Sequence, residues 1–297
     1  MRVTICDVGP RDGLQNEAAT LTPGLRAALG DRLAAAGLPK VEAASFVRPT
    51  LVPQMAGAEE VMATLRRQAG TVFAGLVLNE RGYERALAAG VDEVHYSFPV
   101  TDTFARRNQN SSVDASIAVS HRLIERARQD RMPIAVTLSV CFGCPFEGLV
   151  APGQVLRVVE RVMEHPPDEV CLADTIGVGV PGQVRQLIAG TLALGARAAC
   201  HFHDTRNTGI ANALAAVEAG ALSLDASVGG TGGCPFAPRA TGNIATEDLV
   251  YMLHGMGVET GIDLAGVIDC AGWLSEQLGR ELPGRVWRAG GFAPVAG

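Results

Sequence analysis

The chain has 297 residues, 47% of them hydrophobic and only 5% aromatic, with 35 glycines and a formal net charge of -6. That length suits one large domain or two small ones. The acidic balance argues against a nucleic-acid surface, and no apolar run approaches membrane-spanning length.

In chain order, Met1-Arg2 leads straight into a strand-like run over 3–8 that does not read as a signal peptide, so none is expected. Further strand-like runs follow at 41–46, 71–78, 91–98, 133–140, 169–174, 198–203 and 222–228. Between them lie amphipathic, helix-like stretches at 24–36, 56–69, 80–89, 112–129, 154–163, 182–194 and 210–219. Many of these stop at a glycine (Gly37, Gly70, Gly90, Gly195, Gly220), where a left-handed helix cap is expected. The strands are apolar throughout, as in a parallel sheet buried on both faces. Eight such strands alternating with helices predict an α/β fold, a (β/α)8 TIM barrel, in preference to an open doubly wound sheet. The first turn, Gly9-Pro10-Arg11-Asp12-Gly13, lacks the dinucleotide-binding fingerprint. The expectation is a single catalytic domain: a barrel over about 1–256 whose last helix is 247–256, a helical cap over about 260–283, and a flexible tail at 284–297.

Seven cysteines, an odd number, fall mostly in apolar runs, as at Cys6, Cys171 and Cys200. Buried free thiols in a reducing cytoplasm fit that pattern better than disulfides. Cys141 and Cys144 have CxxC spacing, but no second pair follows to make a zinc site.

His201-Phe202-His203-Asp204 closes the seventh strand-like run. Residues i and i+2 of a strand share a face, so His201 and His203 project together and can share one metal ion; the bland alternative is two polar residues flanking a core phenylalanine. In a TIM barrel the active site lies at the C-terminal ends of the strands. The unusual polar residues of this chain collect there: Asp7, Arg11 and Asp12 at strand one, Glu42 in strand two, Asp174 at strand six, the histidines at strand seven, then Gly229–Pro235 and Asn243 after strand eight. Each alone could be a turn residue, a cap or a barrel-end ion pair. Together, imidazoles with Asp and Asn oxygens suit Mg2+ or Mn2+ better than structural zinc.

From Val3 to Leu278 the chain resembles the 3-hydroxy-3-methylglutaryl-CoA (HMG-CoA) lyases, metal-dependent barrel enzymes related to Claisen-type synthases. The motifs that carry the resemblance are Val8-Gly9-Pro10-Arg11-Asp12-Gly13-Leu14-Gln15-Asn16-Glu17, Glu42-Ala43-Ala44-Ser45-Phe46-Val47, Gly143-Cys144-Pro145-Phe146-Glu147-Gly148, Asp174-Thr175-Ile176-Gly177-Val178-Gly179, His201-Phe202-His203-Asp204-Thr205, Gly232-Gly233-Cys234-Pro235-Phe236 and Gly242-Asn243-Ile244-Ala245-Thr246-Glu247. The resemblance implies retro-Claisen cleavage of a tertiary 3-hydroxyacyl-CoA into acetyl-CoA and a keto acid, for the named family acetoacetate. It implies a divalent cation on Asp12, His201, His203 and Asn243. Arg11 would stabilise the enolate oxygen and Cys234, in a glycine-rich loop, would be the general acid. Glu42 and Asp174 would position metal and substrate, with Asp174 a candidate proton acceptor. Gln15, Ser45 and Thr205 would line the substrate site. The implied partners are an acyl-CoA and a second copy of the chain in a homodimer, with no nucleic acid or membrane, in the cytoplasm.

Three departures bear on the substrate. Arg206-Asn207 stands where the family commonly has Tyr-Gly, Arg239-Ala240-Thr241-Gly242 where it has Gly-Ala-Ser-Gly, and Arg48 where a small residue is usual. These arginines could bind an extra carboxylate or CoA phosphates, or be solvated surface charge. HMG-CoA is the expected substrate. The alternatives are citramalyl-CoA or a longer-tailed glutaryl-CoA and, in another reaction class, Claisen condensation; the synthases usually carry an added C-terminal domain.

Overall fold

The computed structural model describes residues 1–233 and 242–292. Eight parallel strands close a barrel: β1 (Thr4–Asp7), β2 (Lys40–Ser45), β3 (Val72–Val77), β4 (Glu93–Pro99), β5 (Ile134–Ser139), β8 (Glu169–Asp174), β9 (Ala198–Phe202) and β10 (Ser223–Ala226), with β1 paired to both β2 and β10. A short antiparallel hairpin, β6 (Gly143–Cys144) and β7 (Gly148–Leu149), stands between β5 and β8. Helices α1 (Pro23–Ala35), α2 (Ala58–Thr64), α3 (Glu80–Ala88), α4 (Asp102–Gln109), α5 (Val113–Asp130), α6 (Pro152–Val162), α7 (Pro181–Ala193), α8 (Gly209–Glu218), α9 (Thr246–Gly255), α10 (Leu264–Leu278) and α11 (Val286–Ala289) complete it. The strands run consecutively around the barrel, so each crossover helix packs outside it, and valines, leucines and isoleucines of strands and helices merge into one core.

The eight barrel strands fall where the sequence places them, and Gly37, Gly90, Gly195 and Gly220 follow their helices at positive φ; Gly70 is also at positive φ but lies beyond the end of α2 at Thr64 and caps no helix. Three elements differ. The helix expected over 56–69 is a 3-10 turn at Pro53–Met55 and the short α2, because Gly57 is left-handed and Leu65 turns extended to pack against Gly30 of α1. The polar segment after β4 forms α4, which buries Phe104 and Ala105 and stops at left-handed Asn110. The tail expected to be loose from 284 is tied down at its start: the Gly284 amide donates to the Gly229 carbonyl, Asp248 accepts the amides of Arg285 and Val286, and Trp287 donates to Leu282. No helix among the described residues is long and apolar enough to cross a membrane.

Candidate active site

The site begins where β1 gives way to a wide helical turn, Gly9–Gly13. Asp7, fully buried, accepts the Gly9 amide and so starts the turn. The turn presses against the loop after β10: a Cβ on Gly13 would lie 2.4 Å from Oγ1 of Thr231 and 2.6 Å from Oγ of Ser227. Only glycine fits there, and the close approach brings Arg11 and Asp12 beside the end of β9.

On β9 the alternation holds. Phe202 is buried in the core, while the rings of His201 and His203 stand 5.2 Å apart, centroid to centroid. Asn243 bridges backbone to backbone with His203. Nε2 of His201 and of His203 lie 3.9 and 3.7 Å from Oδ2 of Asp12. Nδ2 of Asn243 donates to the same oxygen at 2.9 Å. Asp12, His201 and His203 form a candidate metal triad, with ligand atoms all within 4.8 Å of one another. Asp225, paired with His201 across β10 and β9, takes Nδ1 of His201 at 3.1 Å. Burial alone would lower the basicity of His201, but Asp225 and Asp12 outweigh it and the net shift is upward. Burial would raise the Asp12 carboxyl; the Arg11 guanidinium, His203 and His201 hold it below the usual carboxylate range instead.

Arg11 is fixed on two sides. Nε donates to Oε2 of Glu42 and Nη1 to Oδ1 of Asp12 at 2.6 Å, leaving Nη2 without a partner among the described residues. Glu42 in turn meets Nδ1 of His95 at 2.7 Å, and Nε2 of His95 meets Glu93 at 3.2 Å. Burial would raise the Glu42 carboxyl, yet Arg11 and His95 hold it at about 2.

The remaining residues singled out in the sequence are placed differently. Asp174, expected as a candidate proton acceptor, has both oxygens engaged by amides of its own loop, Oδ1 by Val178 at 2.9 Å and Oδ2 by Gly179 at 2.8 Å. It shapes the loop after β8. Nη1 of Arg206 is spent on the carbonyls of Ile176 and Gly177, so the guanidinium joins two loops where a substrate contact was expected. Thr205 packs closely on Gly177, whose Cβ would lie 2.8 Å from it. Ser45 is buried at the end of β2 with its hydroxyl unsatisfied. Gln15 is half-buried and Arg48 exposed. Cys234 and Arg239 lie outside the described residues. The sequence reading missed His95, Glu93, Lys40 and Asp225. All four sit in apolar strands, and only the even spacing of Lys40 with Glu42 and of Glu93 with His95 hinted at a shared inner face.

A closed parallel barrel with an Asp–His–His cluster and a clamped guanidinium at its C-terminal mouth defines a barrel enzyme with a candidate metal centre. Residues 2–272 match the HMGL-like family model. The (R)-citramalyl-CoA lyase of Chloroflexus aurantiacus is 44% identical, covering 98% of this chain and 96% of its own. The hydroxymethylglutaryl-CoA lyase of Pseudomonas mevalonii is 43% identical over 93% of each. An HMG-CoA lyase from Acinetobacter baumannii, solved with coenzyme A and 3-methylmalate, superposes with a TM-score of 0.94 at 34% identity, covering 99% and 98% of the two chains. The chain belongs to the HMGL-like family and is a carbon–carbon lyase.

Proposed function

We propose that the protein is a divalent-metal-dependent lyase that cleaves HMG-CoA to acetyl-CoA and acetoacetate. The observation that carries this reading is the meeting of Asp12, His201, His203 and Asn243 with a guanidinium clamped from two sides at the catalytic mouth.

The donor set fits a metal. The two Nε2–Oδ2 separations, 3.7 and 3.9 Å, exceed hydrogen-bond reach. They fall below the roughly 4.2 Å that two ligands on one ion with bonds of about 2.1 Å can span. Oδ1 of Asn243 is buried without a partner, which is costly unless a ligand or ion engages it. Asp12, His201, His203 and Asn243 would hold Mg2+ or Mn2+, the ions such oxygen and imidazole donors suit. When bound, the ion would polarise the C3 hydroxyl and orient the substrate carboxylate.

The chain's own groups then divide the work. Cleavage passes the C3 hydroxyl proton to water, turns that carbon into a ketone and leaves the electron pair of the C2–C3 bond as a thioester enolate, so the proton lost at oxygen balances the one later added at C2. Arg11 keeps its charge at any working pH, and its unpartnered Nη2 suits the oxygen where that charge develops. Glu42 positions Arg11. Asp174 holds the loop 175–179. Cys234, assigned by the resemblance, protonates C2 to complete acetyl-CoA.

A second reading is favoured by the Chloroflexus relative, whose identity to this chain matches that of the Pseudomonas enzyme. Citramalyl-CoA undergoes the same cleavage with its carboxylate one carbon nearer C3, releasing a 2-keto acid. The test is release of acetyl-CoA by Mg2+- or Mn2+-loaded protein from HMG-CoA, citramalyl-CoA and longer-tailed 3-hydroxyglutaryl thioesters. The highest kcat/KM on HMG-CoA supports the first reading and on citramalyl-CoA the second. No acetyl-CoA from any of them overturns both.

A further inference from the structure

The barrel interior carries a chain of charges. β2 and β4 are separated by β3, so their side chains meet only inside the barrel. Lys40 and Glu42 on β2 there alternate with Glu93 and His95 on β4: Nζ of Lys40 lies 2.7 Å from Oε1 of Glu93, which lies 3.2 Å from Nε2 of His95, whose Nδ1 lies 2.7 Å from Oε1 of Glu42. Oε2 of Glu42 then takes Nε of Arg11. Signs alternate from the N-terminal mouth to the catalytic mouth. Both imidazole nitrogens face carboxylate oxygens, and ionised carboxylates only accept, so both nitrogens of His95 donate.

We propose that His95 is a positioning residue: as a doubly donating cation braced by Glu93 and Lys40, it fixes the Glu42 carboxylate in the orientation that aims Arg11 at the reacting oxygen. Without it, Glu42 would keep one oxygen on Arg11 and leave the other buried and unpartnered, free to turn. Burial would lower the basicity of His95, but Glu42 and Glu93 reverse this and raise it to about 10. Glu169 of β8 faces the same charges. The effect on turnover rests on the lyase reading; the charge of His95 does not.

Two measurements test the proposal. In the folded protein labelled with 15N-histidine, the resonances lost in His95→Gln are expected to show both ring nitrogens protonated at pH 8. A neutral ring there overturns the proposal. In metal-loaded protein, His95→Val is expected to lower kcat by about 10–100-fold on whichever thioester the parent cleaves, with KM and Mn2+ affinity near those of the parent. His95→Gln, which keeps a donor for Glu42, is expected to recover most of the loss. An unchanged kcat in His95→Val, or His95→Gln no better than His95→Val, overturns it. Should the valine variant not fold, His95→Asn, too short to reach Glu42, takes its place in the comparison. A parent that cleaves none of the thioesters defeats the lyase reading, and the 15N spectrum alone then decides the charge of His95.

Discussion

Nδ2 of Asn243 donates to Oδ2 of Asp12 at 2.9 Å and to the Thr231 carbonyl at 3.0 Å, joining the loops after β1 and β10 through one amide. Both its protons are then used, and Oδ1 is left buried and unpaired beside the histidine pair. A buried amide oxygen without a partner is costly unless an ion or ligand engages it.

Exhaustive chelation is therefore expected to abolish thioester cleavage, and Mg2+ or Mn2+ to restore it. Adding Mn2+ to the stripped protein should raise Tm by mass action, and this rise should be lost in His201→Ala and His203→Ala. Asn243→Ala should weaken Mn2+ binding by about tenfold, roughly 1.4 kcal/mol, read by titration calorimetry. Full turnover with metal content near zero refutes the metal centre.

Arg11→Gln is expected to cut kcat by about 3 kcal/mol in barrier, with a smaller change in Mn2+ affinity. Arg11→Lys should not rescue it, since one ammonium cannot serve Glu42 and Asp12 together in the forked geometry seen here. A variant with raised KM and intact kcat would make Arg11 a binding residue only.

Cys234→Ala should lower kcat by roughly 10²–10⁴-fold in protein that remains folded and metal-loaded. The six cysteines among the described residues are all buried, and burial pushes the thiols of Cys6, Cys141, Cys171, Cys200 and Cys270 upward. Iodoacetamide on the native protein is thus expected to modify Cys234 first, with substrate protecting, as peptide mass mapping would show. Wild-type turnover by Cys234→Ala would exclude its role as acid.

The sequence reveals these features unevenly. The barrel follows from period, length and glycine stops, which are local signals. His201 and His203 are legible because two residues on one strand face need no tertiary knowledge. The clamp on Arg11 is another matter: Glu42 reaches it over 31 residues, and His95, a lone histidine in an apolar strand, looks like core until the barrel closes and turns β4 and β2, on either side of β3, toward one interior. The backbone partners of Asp174 and Arg206 escape the sequence for the converse reason. The two side chains serve backbone groups of adjacent loops, and such partners leave no mark in side-chain pattern.

A pH effect on stability follows from two carboxyls beneath the glycine loop. Glu247 accepts the Gly229 amide with one oxygen and leaves the other unsatisfied, and burial raises it from 4.5 to about 8. Burial likewise raises Asp7 to about 7. Between the unfolded and folded values the folded chain holds a proton that the unfolded chain has released. The stabilisation is full below about 4.5 and is lost as pH rises toward 8. Glu247→Gln, neutral throughout, should therefore match the parent in Tm near pH 5 and exceed it by a growing margin up to pH 8. A constant difference across that range would show that Glu247 does not titrate there.

The arginine that departs from the family pattern gives the last prediction. Nη1 of Arg206 binds the carbonyls of Ile176 and Gly177 at 3.1 and 2.9 Å, stapling the loop that Asp174 starts to the loop that follows His201 and His203. Gly177 sits at φ +61° against Thr205, so that loop has little freedom to adjust. Asn207 sits at φ +58°, a conformation glycine adopts without strain. Replacing Arg206 by Tyr and Asn207 by Gly should cost about 1 kcal/mol from the lost hydrogen bonds, roughly 2–4 °C in Tm for a domain of this size. It should lower kcat/KM by a similar factor for HMG-CoA, citramalyl-CoA and their longer-tailed relatives, because a loop staple acts on every substrate alike. A tenfold change in the ratio between two thioesters, with Tm unchanged, would instead make Arg206 a substrate contact and a determinant of the acyl group.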